Sequence, residues 1–107
     1  MFRREFKKWL KVQGITFNDY LFLEDEERLK INAAYIKENI ELNKRYSVKE
    51  LESKFPSVCV EMADIAEKRG KIISGVVVKI FPDTYSAEQR YWELFVVPEQ
   101  NYVVGIA

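Results

Sequence analysis

The side chains able to do chemistry in this chain are few, and their spacing excludes more than it suggests. There is no histidine and only one cysteine, Cys59. Imidazole bases, histidine metal ligands and histidine pH switches are therefore absent, as are an internal disulfide and a cysteine metal cluster. A nucleophile needs a base beside it, which leaves Cys59 or a serine helped by lysine or carboxylate. Cys59 stands in V-C-V among core-type positions and reads as a packed, inert thiol. Paired carboxylates occur at Glu24–Glu27, Glu50/Glu52 and Glu61/Asp64. Acid–base work needs one carboxylate of such a pair buried, and each pair falls where a helix start or a solvated face would place it. Calcium-loop, Walker and dinucleotide glycine patterns are missing, and R-G-K-I at 69–72 reads as a helix end running into a strand. No catalytic, cofactor or metal residue is assigned, and a non-enzyme is expected. A small enzyme using carboxylates is kept as an alternative.

Charge bears on partners. The chain of 107 residues has 17 basic and 17 acidic side chains, a formal net charge of zero. Nucleic-acid modules draw most of their affinity from phosphate neutralisation and are usually basic, so balance disfavours DNA. Charge is segregated modestly: residues 1–12 hold Arg3, Arg4, Lys7, Lys8 and Lys11 against Glu5, while Glu24–Glu27 form an acidic run. The basic opening segment lacks the apolar core of a signal peptide, and no apolar run reaches the ~20 residues of a membrane span, so a cytoplasmic location is expected.

The elements that must position these groups follow from periodicity. Length, 48% apolar content and few Gly and Pro indicate one domain, 1–107, with a single core. Phe2, Phe6, Trp9 and Leu10 make one helical face, expected to pack on the domain with the cations solvated. Gly14 ends that helix, and Thr16 and Asp19 open a short second one. A third begins at Glu24–Glu27, carries the stripe Leu29, Ala33, Ile36 and Ile40, and is expected to keep Lys44 and Arg45 in its last turn. Ser47 and Glu50 form an S-x-x-E capping box for a helix with Val48, Leu51 and Phe55 inward. Val58, Met62, Ile65 and Ala66 suggest another helix, closed at Gly70. Strands are expected over 72–81, 91–97 and 102–106. Strict alternation puts Val77 and Phe81 on one face and Val76, Val78 and Ile80 on the other. The expected fold class is α+β: N-terminal helices (1–46), then helix-turn-helix plus a three-stranded antiparallel sheet (47–107).

Residues 47–97, with S-V-K-E-L-E-S-K-F-P-S-V-C-V-E-M and the E-K-R-G-K-I junction, resemble a winged helix-turn-helix. The resemblance implies a recognition helix at Val58–Arg69, a wing at Pro82–Arg90, and nucleic-acid contact by Lys68, Arg69, Lys71 and Arg90. The sequence departs from the family in charge, since Glu61, Asp64 and Glu67 lie on the helix that would meet phosphate. No Arg, Asn or Gln stands in its front half to read bases. Elimination therefore favours a non-catalytic regulator acting by protein contact, an inhibitor or adaptor of the kind found among phage and mobile-element accessory proteins. A winged-helix transcriptional regulator is the alternative. The partner-binding candidates are Tyr85, Tyr91, Trp92 and Tyr102, joined by Glu61 and Asp64. The last strand presents an edge on which a second copy could pair, giving a homodimer.

Overall fold

A computed structural model of the chain describes residues 3–96 and 101–106. The elements run α1 (Arg3–Val12), α2 (Phe17–Leu21), α3 (Asp25–Asn39), β1 (Lys44–Ser47), α4 (Val48–Lys54), β2 (Val58–Lys68), β3 (Lys71–Phe81), α5 (Thr84–Val96) and β4 (Tyr102–Ile106). The class is α+β: N-terminal helices, then a four-stranded antiparallel sheet with helices interleaved.

The early helices start and stop where local chemistry dictates. Thr16 accepts from the Asp19 amide and Ser47 from the Glu50 amide, each satisfying a donor that the first helical turn leaves open. Gly14 has φ +81°, the left-handed conformation that ends α1. Phe6 and Leu10 are fully buried and Trp9 packs against the same core, so this part of the α1 face points inward as expected; Phe2 lies outside the described residues. Lys44 and Arg45 are not in the last turn of α3. That helix ends at Asn39, Asn43 turns the chain with φ 66°, and both cations stand in β1.

Three expectations in the second half are overturned. Residues 58–68 form a strand and not a helix, 84–96 form a helix and not a wing loop followed by a strand, and the sheet has four strands. The stripe Val58, Met62, Ile65 fits a helix, but Val58, Val60, Met62 fits a strand equally well. Long-range pairing decides between them, because β2 is central and bonded along both sides, to β3 and to β4. The winged-helix resemblance thus has no recognition helix at Val58–Arg69 on which to rest. For 84–96, Asp83 supplies a cap, its Oδ1 accepting from the Ser86 amide at 2.6 Å. That cap, followed by A-E-Q-R, outweighs the aromatic content that reads as strand.

Strand order is β1-β3-β2-β4 with every neighbour antiparallel. β1 and β2 are therefore parallel, joined through α4 across β3, and β3 and β4 are parallel, joined through α5 across β2. Both crossovers step the same way along the sheet but start from oppositely directed strands. With the usual right-handed connection, their helices then fall on opposite faces. Burial agrees. Val58, Val60, Met62, Ile80 and Ile106 join a cluster with Phe6, Leu10, Tyr20, Tyr35, Ile36 and Leu51 from the first four helices. Phe81 of β3 and Ala87 of α5 are buried outside that cluster.

Irregularities in the long β2–β3 hairpin adjust which side chains face the core. Register slips between Glu61/Met62, where Lys79 and then Val77 are the partners, so Val78 is the extra residue. The slip returns Val77 to the face of Ile80, and both are buried, against strict alternation. A second irregularity surrounds Asp64, at φ 50°. Arg45 spans it, donating to Asp64 O and Oδ2 at 2.6 and 2.7 Å and to Ser74 Oγ at 2.9 Å. Gly75 lies nearby, and a Cβ there would come within 2.9 Å of Met62 Cβ. The hairpin closes at Arg69 and Gly70, both at positive φ, the backbone of a type I′ turn.

Candidate interaction surface on the last helix

The inward stripe of α5 is Ala87, Arg90 and Leu94, with Ser86 beside it, and only Ala87 is fully buried. Its outward face carries Tyr85, Tyr91, Trp92, Phe95 and Val96, all exposed; Trp92 and Phe95 keep 60% and 72% of their surface in water. The helix is inverted relative to the ordinary amphipathic pattern, with a cation pointing in and aromatics pointing out. Tyr91, Trp92 and Phe95 meet edge to face, at centroid separations of 5.4 and 5.9 Å. A shallow groove of about 520 Å³ runs along Gln89, Trp92, Glu93 and Val96. Tyr85 accepts a hydrogen bond from Gln89 Nε2 at 2.7 Å, which fixes the helix's first turn.

The inward cation holds α5 to the sheet. Arg90 Nε and Nη2 donate to the two oxygens of Glu61 at 2.7 and 3.2 Å, and Asn101 Nδ2 donates to Glu61 Oε2 at 2.8 Å. Glu61 is 4% exposed. Burial opposes its ionisation, but the hydrogen bonds from Arg90 and Asn101, with the charges of Arg90 and Lys79, outweigh that and lower its pKa. Arg90 also reaches Glu93 at 3.1 Å, tying the next turn to the same anchor. The result is a fixed helix with an apolar outer surface.

The candidate residues sort accordingly. Tyr85, Tyr91 and Trp92 are gathered on α5, and Tyr102, also exposed, begins the neighbouring strand. Glu61 is buried in its ion pair and is a structural anchor, unavailable as a contact residue. Asp64 is exposed but engaged by Arg45 on the hairpin. Lys68, Arg69 and Lys71 come together at the exposed hairpin tip, with Lys68 and Lys71 cross-strand partners. Arg90 does not join them. Phe95 and Val96 are not among the sequence candidates; a strand over 91–97 puts Phe95 on the face opposite Trp92, whereas the helix brings the two rings together. The D-T-Y-S start at Asp83 was the signal that would have found them.

A second concavity, about 540 Å³, lies among α1, α2, α3 and the approach to β2, lined in part by Phe6, Tyr20, Arg28, Asn32 and Ser57. Both polar ends of its buried amide are engaged: Tyr20 Oη donates to Asn32 Oδ1 at 2.6 Å, and Asn32 Nδ2 donates to Ser57 O at 2.8 Å. Arg28 is occupied by Asp25 and the Leu21 carbonyl. This cluster ties helices to sheet. Burial raises the Cys59 thiol pKa, the opposite of what a nucleophile requires. Among the described residues no three His, Cys, Asp or Glu side chains come together as a metal site, and no helix is long and apolar enough to cross a membrane.

Neither a family model, a curated protein nor a solved structure matches this chain.

Proposed function

We propose that this protein is a non-catalytic regulator, an inhibitor or adaptor, that works by docking the outward face of α5 onto a partner protein. The observation that carries this is the inversion of α5. A solvated helix ordinarily turns charge outward, whereas this one commits its arginine to a buried carboxylate and leaves three adjacent aromatic rings in water. Tyr and Trp centred in a patch with charges at the rim have the composition of interface hot spots, and Glu88 and Glu93 supply that rim. The test is a quantitative binding assay against a partner recovered by cross-linking in the native host. Trp92→Glu/Phe95→Glu should abolish binding with an unchanged circular-dichroism spectrum. Undiminished binding by the double variant would refute the proposal.

A second reading rests on the hairpin tip, where Lys68, Arg69 and Lys71 project together at the end of two 11-residue strands. A two-stranded ribbon fits a DNA major groove, and such a tip would make phosphate contacts. It predicts duplex binding that weakens steeply with salt and is lost on replacing all three cations by glutamate. No shift of duplex DNA at low salt would end it.

A further inference from the structure

The α5 surface does not stand alone, because it adjoins an open sheet edge. Among the described residues β4 bonds to β2 on one side only and is the last strand of the sheet. Edge strands in monomeric proteins are usually guarded by charge, proline or a bulge. Tyr102–Ile106 is Y-V-V-G-I, with none of these.

We infer that the partner seated on this surface is a second copy of the same chain, joined by antiparallel pairing of the two β4 edges and by packing of the two α5 helices; this rests on the protein-contact reading above. The strand is complementary to itself. Paired about Val104, Tyr102 of one copy faces Ile106 of the other, and Val103 faces Gly105. No like charges meet, and each larger side chain stands opposite a smaller one. Antiparallel edge pairing extends the sheet to eight strands around a two-fold axis normal to it, so both α5 helices lie on the same face. α5 packs over β4, β2 and β3. With strands ~4.8 Å apart, the two helix axes come on the order of 10–15 Å from each other; counting about 100° per residue from the inward stripe, Tyr91 and Phe95 lie on one flank of α5, the flank toward β4 for a right-handed crossover, and fill that gap.

At ~150–250 Å² per aromatic ring, the exposed parts of Tyr91, Trp92 and Phe95, the rings on or next to that flank, amount to on the order of 400 Å² per copy. With the β4 edge added, the interface falls toward the low end of the size range of specific complexes, which fits a reversible dimer.

Sedimentation of the full chain from roughly 1 to 300 µM is the direct test. A reversible dimer is expected. Gly105→Lys places a cation on the edge at a site with open space around its Cβ, and Trp92→Glu/Phe95→Glu charges the helix. Each should weaken dimerisation at least tenfold while leaving the far-ultraviolet spectrum unchanged. A monomer throughout the range would overturn the inference, as would a dimer unaffected by either change. If the wild type is a monomer and the helix variant still loses a heterologous partner, the second copy is refuted and the protein-contact role stands. If the helix variant loses neither a second copy nor any other partner, both are refuted.

Discussion

The two faces of the sheet are built on different principles. One is covered by α1 to α4 and sealed by interlocking rings: Phe6 contacts Tyr20 and Tyr35 at about 5 Å, and Tyr35 contacts Trp9 and Phe55. Among the described residues the other is crossed by α5 alone, held by an ion pair and a few small contacts, with its aromatics turned away from the sheet. The first face uses its apolar surface in folding, and the second leaves it in water. A helix kept in place by a charge pair rather than by its rings can lose those rings without losing its position.

That contrast can be broken experimentally. Met62→Ala, at a fully buried position of the first face, should cost about 2–5 kcal/mol by urea denaturation. Trp92→Ala, for all its size, should stay within about 0.5 kcal/mol when measured in dilute solution. Similar losses at both positions would mean that α5 folds on its aromatics after all. Arg90→Ala removes the anchor and strands a buried carboxylate. Loss of such a partner costs ~3–5 kcal/mol when both groups are buried, and about 2–3 kcal/mol is expected here because Arg90 is a quarter exposed. Glu61→Leu/Arg90→Leu should recover most of that loss, since paired apolar groups escape the desolvation cost.

Gly75→Ala tests the close approach of β3 to Met62 and Ile65. Three atoms would lie at 2.9–3.0 Å from the new Cβ, so about 1–3 kcal/mol is expected. Gly105→Ala meets nothing and should be near neutral. The smallest effect is on pH. Glu61 has a depressed pKa in the folded protein, so its contribution is present above the unfolded glutamate value and is lost as pH falls through the folded one. Stability should therefore decline from about pH 5 downward, around the ordinary glutamate pKa of ~4.3. In Glu61→Gln the decline should be shallower. An identical slope in that variant would place the acid-sensitive group elsewhere.

The N-terminal half was legible because its signals are local. A capping oxygen three residues ahead of an amide, a 3.6-residue stripe and a glycine at the helix end all act within a turn or two, and Thr16, Ser47 and Gly14 behave accordingly. The same holds for Asp83, whose cap was overlooked beside the aromatic run that follows it. Val58–Lys68 was of another kind. Its residues satisfy both periods, and no local rule could choose.

Sequence by itself determined the α+β class, the first four helices, strands at 72–81 and 102–106, and the absence of histidine chemistry and of an internal disulfide. It also singled out Tyr85, Tyr91 and Trp92, which the structure leaves exposed on α5. Tertiary structure decided what surrounds them. Pairing with β3 on one side and with β4 on the other, where Val58 meets Ile106, made β2 a strand, since most of those partners lie far outside any local window. The same topology set α5 on the opposite face and buried Glu61 against Arg90, a contact across 29 residues. Whether a side chain is buried as an anchor or left exposed depends on which face of the sheet its helix reaches, and that is fixed by crossover direction, which no window of sequence contains.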